Sequence, residues 1–330
     1  MPDDRPLQAS LRAIEDGRNT TDLDDTLAAA LTSTNPRTVG RAAKLVDQRR
    51  LEQFEAELRD AYARFLVDPV KSDPGCEAKT PLCQALRALE HDDADFFLKN
   101  IHYQQHEPIY SQDPTRRSID TASTIRATCG FALIQLNDSR AMSALVDLLG
   151  DPEKTARAGA ARAIAHGGGQ TGELLLRLKI DLGDDEPEVL GECFRDLIHL
   201  NPNEALDRIG IFLTHPSEDV RCEAALALGE SRNEAAFPLL QTQSEQRHSR
   251  DFENVLLTAM GLLGLPPCID YLLQVVVGSD PGAAIAAVRA LRHCRDPTSF
   301  ADRLKVAVDR VSDRRVAQTL REEFPELGAI

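Results

Sequence analysis

The stretch HPSEDVRCEAALALGES, residues 215 to 231, crowds three alanines (Ala224, Ala225, Ala227) into a segment with helical apolar spacing. The same pattern returns along the chain. DPEKTARAGAARAIA runs from Asp151 to Ala165 and places Ala160, Ala161 and Ala163 on Ala224, Ala225 and Ala227. VLGECFRDL (Val189 to Leu197) falls on VRCEAALAL (Val220 to Leu228), with Glu192 on Glu223. Upstream, IRATCGFALIQL puts Arg126 on Arg157; downstream, VLLTAMGLLG puts Gly264 on Gly229. AAIAAVRALRHC, from Ala283 to Cys294, and CEAKTPLCQALRALE, from Cys76, are weaker copies. A period of roughly 30 to 35 residues signals stacked supersecondary units rather than one globular core.

Each copy reads as two helices. The first follows a step such as Asp151-Pro152, Glu186-Pro187, His215-Pro216 or Asp280-Pro281, where proline suits a first helical turn. The second is richer in leucine, as in AMSALVDLLG, TGELLLRLKIDL and CIDYLLQVVVG. Strand signals are nearly absent, and the valines at 275 to 277 read as the end of a helix. Aromatic residues make up 5% of the chain and tryptophan is missing, so the core is packed from Ala, Leu, Ile and Val. Small residues on the first helix let neighbours approach closely, and leucines on the second fill the space between repeats. One repeat cannot bury both faces alone, so the predicted fold is all-α, an α-solenoid of stacked helix pairs.

VRCEAALALGES after HPSED, with TARAGAARAIA, resembles HEAT repeats of the short bacterial type called phycobilisome-lyase-like. Arg126, Arg157 and Arg221 stand where that family often carries a ladder arginine bonding between repeats. The copy at 184 to 213 departs from the pattern, with Leu190 in the arginine position. The resemblance covers residues 120 to 295 and extends more weakly over 76 to 310. It implies N-terminal capping or divergent helical repeats over 1–75. A HEAT-like array follows over 76–310, with a surface insertion at 100–121, and then a C-terminal capping helix over 311–330.

The formal net charge is −15, with 53 acidic against 38 basic residues, which argues against binding to nucleic acid or an anionic membrane. No run of about 18 apolar residues marks a membrane span. Seven cysteines without a CxxC pair, and a start (MPDDRPLQAS) lacking an apolar segment, predict reduced thiols in the cytoplasm. The resemblance implies that most such chains are scaffolds and a few are enzymes. Deoxyhypusine hydroxylase, of similar repeat type, holds two irons with several His-Glu pairs, whereas His106-Glu107 is the single such pair here. Repeat-type DNA glycosylases need aromatic and basic contacts, and nothing marks a bilin pocket of the lyase kind. AHGGGQTGE contains HGGG, yet the chain has no G-x-S-x-G elbow to accompany it. Its Gly167, Gly169 and Gly172 follow a helix where a dinucleotide site needs a strand. No catalytic motif is complete, and no cofactor or resident metal is expected.

HYQQHE raises the more serious question. As a helix it would set His102 and His106 one turn apart beside Glu107, with His91, Asp92 and Asp93 just upstream. The order differs from HExxH, and the favoured reading is a polar, partner-facing helix end. Cys129 and Cys193 align with the small-residue stripe, which predicts burial. The longer spacing before the Arg126 repeat falls within Asn100 to Thr121, and an insertion in a solenoid lies on its surface. Tyrosine and arginine are enriched at binding hot spots. The candidate partner-binding residues are therefore Tyr103, His106, Glu107, Tyr110, Arg116 and Arg117. The expected function is a non-catalytic scaffold that binds another protein. The alternative is a metal- or cofactor-assisted enzyme or chaperone centred on the insertion.

Overall fold

A computed structural model of the chain describes residues 4–18, 23–108, 118–278 and 280–325. Two compact units divide it, Met1–Gly167 and Gly168–Ile330. The N-terminal unit opens with α1 (Arg5–Glu15), α2 (Leu23–Leu31), α3 (Pro36–Arg49) and α4 (Glu55–Arg64). The short α5 (Pro69–Ser72), then α6 (Lys79–Ala88) and α7 (Ala94–Asn100), follow. Two strands, β1 (His106–Pro108) and β2 (Ser118–Asp120), precede α8 (Ser123–Gln135), α9 (Ala141–Leu148) and α10 (Lys154–Gly167). Helices α3, α6, α8 and α10 stack side by side as the first helices of successive pairs. Helix α4 packs on α6, α7 on α8, and α9 on both α8 and α10. Leu82, Leu86, Ile125, Leu133 and Ile164 are wholly buried along that row. Gly159 shows how tight the row is: a Cβ there would come within 3.1 Å of Ala127 Cα.

The C-terminal unit holds α11 (Gly169–Leu182), α12 (Pro187–Leu200), α13 (Pro202–Gly210), α14 (Glu218–Glu230) and α15 (Ala236–Ser244). It continues through α16 (Arg250–Leu263), α17 (Pro266–Val276), α18 (Pro281–Leu291), α19 (Ala301–Asp309) and α20 (Arg314–Glu323). Here α12, α14, α16, α18 and α20 form the stacked row. The alanine-rich stretch is α14. Ser217 caps it by accepting from the Val220 N–H at 3.5 Å, and Ala224 and Ala225 are wholly buried. A Cβ on Gly229 would reach 2.7 Å from Ala259 Cα. The all-α solenoid of stacked helix pairs is therefore built as the repeats predict, on small residues where first helices touch. Cys129 and Cys193 are both fully buried, as their alignment with the stripe implies.

Two local departures stand out. Leucines of the second helices fill the core in α13 (Leu206), α15 (Leu240) and α17 (Leu272). On α11, however, Leu174, Leu178 and Leu182 are 56%, 54% and 76% exposed, while Leu176 and Ile180 turn inward. The second departure is HYQQHE, which is not helical. Helix α7 stops at Asn100, and His106–Pro108 pairs antiparallel with Ser118–Asp120 in the register His106↔Asp120, Glu107↔Ile119, Pro108↔Ser118. Pro108 lacks the N–H a helix interior would need but is tolerated on a two-stranded edge. His102 and His106 accordingly do not sit one helical turn apart. Strands of three residues are too short to show a period-two pattern, which is why alternation did not announce them.

Candidate functional site

The polar residues of the N-terminal unit converge where the hairpin meets α6 and α8. The segment between α4 and α6 carries left-handed backbone at Asp68 (φ 48°), Gly75 (φ 70°) and Cys76 (φ 52°), and non-glycine residues rarely adopt that conformation. Asp73 and Lys79, both with fully buried side chains, hold the segment in place. Asp73 Oδ1 accepts from the Ala78 N–H at 2.8 Å and Oδ2 from the Lys79 N–H at 3.0 Å, so this carboxylate caps the start of α6. Lys79 Nζ donates to Asp73 Oδ2 at 2.8 Å and to the Phe65 carbonyl at 3.3 Å. A charge pair this deep draws on these added hydrogen bonds to offset the loss of water.

The hairpin is tied to that segment. Gln105, 2% exposed, donates from Nε2 to the Asp73 carbonyl and to Glu107 Oε1. Glu107 Oε1 also accepts from the Gly75 N–H at 2.6 Å and from Thr121 Oγ1 at 2.8 Å. Burial works to raise the Glu107 pKa, but the bonds from Gln105, Gly75 and Thr121 outweigh it and hold the carboxyl below its usual range. Asp120 behaves alike. Burial opposes its charge, yet the N–H groups of Gln105 and Ala122 and the Arg126 guanidinium lower its pKa. Arg126, 1% exposed, joins three segments. It donates to Asp120 Oδ2 at 2.6 Å, to the Tyr103 carbonyl at 2.8 Å, and in a fork to Asp151 at 2.7 and 2.8 Å. The bond to Asp151 reaches the Asp-Pro step of the next repeat, which is the ladder role. Arg157 and Arg221 each donate to the carbonyls of their own preceding steps, Asp151-Pro152 and His215-Pro216.

Beside this anchored hairpin lies a groove of about 690 Å³ across the first helices. Arg37, Arg41 and Lys44 of α3 form one wall, Thr80 and Gln84 of α6 the base, and Thr124 of α8 the far side. Arg37 pairs with Glu77 at 3.0 Å and Arg41 with Glu15 at 2.5 Å. Cys76 also borders the groove, 1% exposed, with its Sγ 3.5 Å from Thr121 Oγ1. Burial pushes its thiol up to about 11, so it stays protonated near neutrality and is a poor nucleophile.

Of the six residues picked out from the insertion, Tyr110, Arg116 and Arg117 lie outside the described residues. Tyr103 and Glu107 are half-buried and turned to internal work; the Tyr103 hydroxyl donates to Gln105 Oε1 at 2.7 Å. His106 is exposed, with Nε2 3.4 Å from Gln104 Oε1. Asp73, Lys79, Gln105 and Asp120 escaped sequence reasoning. One signal was available: Asp73-Pro74 is a further Asp-Pro step before a first helix. Among the described residues, a group able to hold a metal ion comes together away from the insertion. Glu55, His91 and Asp92 each place a ligand atom within 4.8 Å of the others. His91 Nδ1 lies 2.6 Å from Glu55 Oε1, and its buried Nε2 has no hydrogen-bond partner. Ligation through Nδ1 moves the ring proton to Nε2 and leaves a buried donor unmet, which costs about 1–3 kcal/mol.

With this geometry in hand, the chain can be set beside known proteins. Residues 174–252 match the family described as HEAT repeats. These residues are HEAT repeats. No curated protein matches. Among solved structures, a mutant of Kap121p is similar with a TM-score of 0.48 and 12% identity, over 99% of this chain and 40% of that one. The chain thus spans well under half the length of that protein. The complex of CpcE and CpcF of phycocyanin lyase from Nostoc sp. PCC7120 gives a TM-score of 0.36 and 17% identity, over 86% of this chain and 93% of that one. Human deoxyhypusine hydroxylase gives 0.29 and 16%, over 92% of each chain. No described helix is long and apolar enough to cross a membrane.

Proposed function

We propose that this HEAT-repeat chain is a non-catalytic scaffold that binds another protein in the groove between α3, α6 and α8, with the hairpin as a fixed rim. The observation that carries this reading is the groove itself. It crosses three first helices, and an internal network of Asp73, Lys79, Gln105, Glu107, Asp120 and Arg126 holds its border rigid. Preorganised surfaces bind at lower entropic cost than mobile ones. The chemistry nearby favours binding over turnover, since the Cys76 thiol is kept protonated and Glu107 and Asp120 are spent on internal bonds. Seven free cysteines fit a reducing compartment such as the cytoplasm. The acidic balance of the chain supports a protein partner over a nucleic acid.

A photo-reactive benzoylphenylalanine in place of Gln84 tests this, with the same group in place of Glu52 as a remote control. The expected result is one defined protein adduct from position 84 and none from position 52. A second reading, a metal-assisted enzyme, draws on the Glu55, His91 and Asp92 cluster rather than on the insertion. Metal analysis separates the two. Stoichiometric metal lost on His91→Ala, together with no adduct from position 84, would replace the scaffold reading.

A further inference from the structure

The groove has a chemical preference that its shape alone does not reveal. The stacked helices α3, α6, α8 and α10 contain a single acidic residue, Asp47, although the whole chain has 53 acids against 38 bases. Basic residues recur on the same helices, and several are exposed. Arg37, Arg41 and Lys44 stand four and three residues apart on one face of α3, while the opposite face (Val39, Ala42, Ala43, Val46) is buried. Lys44 is exposed and has no carboxylate partner among the described residues. Glu15 and Glu77 also line the groove, paired with Arg41 and Arg37, so Lys44 leaves the lining with one cation in excess; the two pairs are solvated surface pairs, which contribute little to stability. Across the row, Arg87 of α6 lies 5.8 Å above the Phe131 ring of α8 and continues the basic character of the face.

We infer that the partner presents an extended acidic segment to this face; the inference rests on the scaffold reading above. Lys44 stands seven positions beyond Arg37 on α3, about 10 Å at the helical rise, so one small anion cannot meet all three cations. In an extended peptide, side chains on one face recur about every 6.6 Å, against axial steps of about 6 Å from Arg37 to Arg41 and about 4.5 Å from Arg41 to Lys44. Two carboxylates on alternate residues therefore match Arg37 and Arg41, and the long, exposed Lys44 side chain can reach along the peptide to a third. Thr80, Gln84 and Thr124 border the same groove with polar side chains able to meet the peptide backbone. Duplex or single-stranded nucleic acid is disfavoured, because its charge density calls for more cations than one helix face supplies.

The test is fluorescence anisotropy on the full chain with a fluorescein-labelled octapeptide of alternating serine and glutamate. A serine–glutamine octapeptide and an eight-nucleotide single strand serve as comparisons. We expect the glutamate peptide to bind at least tenfold tighter than the glutamine peptide, with affinity falling as salt rises from 50 to 300 mM. Arg37→Glu with Lys44→Glu should lose at least tenfold, and Arg314→Glu with Arg315→Glu in the other unit should stay within twofold of wild type. If the double reversal alters melting, Lys44→Gln carries the test, since no ion pair is lost with it, and a two- to fivefold loss is expected. Equal binding of the two peptides, or unchanged binding by the reversed variants, overturns the inference. So does tighter binding of the oligonucleotide, which would make the face a nucleic-acid site. An adduct at position 84 without acidic-peptide binding would leave the scaffold standing and remove only this choice of partner.

Discussion

In the N-terminal unit the stacked helices α3, α6, α8 and α10 hold Asp47 as their one acid; in the C-terminal unit α14 alone holds Glu218, Asp219, Glu223 and Glu230. Both rows are nonetheless assembled by the same means. Small residues sit at the helix contacts, as Gly159 against Ala127 in one unit and Gly229 against Ala259 in the other. The comparison teaches that packing consumes only the inward stripe of a first helix and leaves the charge of its outward face unconstrained. Partner chemistry can then differ between units without any change of fold. The units also differ in how polar groups are buried. The N-terminal unit encloses Asp73 and Lys79 completely, whereas Arg195 and Glu223 of the C-terminal unit form a pair 3.4 Å apart with side chains 29% and 20% exposed.

That difference in burial predicts the largest effect. Lys79→Met leaves Asp73 charged and unpaired, which should destabilise the N-terminal unit by about 3–5 kcal/mol in urea denaturation. Asp73→Asn combined with Lys79→Met should recover part of the loss, and a double variant no better than the single would break the account. Next comes the contact shared by both rows. Gly229→Ala drives a methyl to 2.7 Å from Ala259 Cα, so a cost of about 1–3 kcal/mol is expected from overpacking. A neutral result would mean that the C-terminal row is looser than its geometry.

Acid should act on the hairpin before it acts on the apolar rows. Glu107 and Asp120 have lowered pKa values in the folded chain, so the unfolded chain binds their protons more readily as pH falls. Their contribution is complete above the ordinary carboxylate range near 4 and disappears as pH drops through the folded values. Amide exchange at 105–108 and 118–121 should therefore accelerate relative to α8 on acidification, and Glu107→Gln should produce part of that acceleration at pH 6. The smallest effect concerns thiols. Cys76 is buried and its pKa is raised to about 11, while Cys222 in the C-terminal unit is only half-buried. Maleimide at pH 7.5 should label Cys222 first, and prior labelling of Cys76 would show that its segment opens.

The legible parts of the molecule were those written locally. Helix pairs, the Glu186-Pro187 and Asp280-Pro281 starts of α12 and α18, and the burial of Cys129 and Cys193 all follow from spacing within about 30 residues, whereas Pro152 and Pro216 lie two residues before α10 and α14. Arg126 was legible as a ladder residue, and its fork to Asp151 bears that out. The hairpin was not legible, because its stability comes from Gln105, Asp73, Gly75 and Thr121, which lie far apart in the chain, rather than from strand propensity. The Asp73–Lys79 pair was hidden for a related reason. Nothing in DPGCEAK shows that both ends will be removed from water. The helical option for HYQQHE failed on Pro108 and on the two-stranded register.

The fixed base of the hairpin also bears on how such a chain can change over time. Glu107 ties β1 to the Gly75 backbone and Asp120 ties β2 to Arg126, so each strand is moored to the repeats on its own. Each strand can accordingly vary at its exposed positions, His106 on β1 and Ser118 on β2, by mutation or in the hands of the protein engineer, while the array beneath keeps its register.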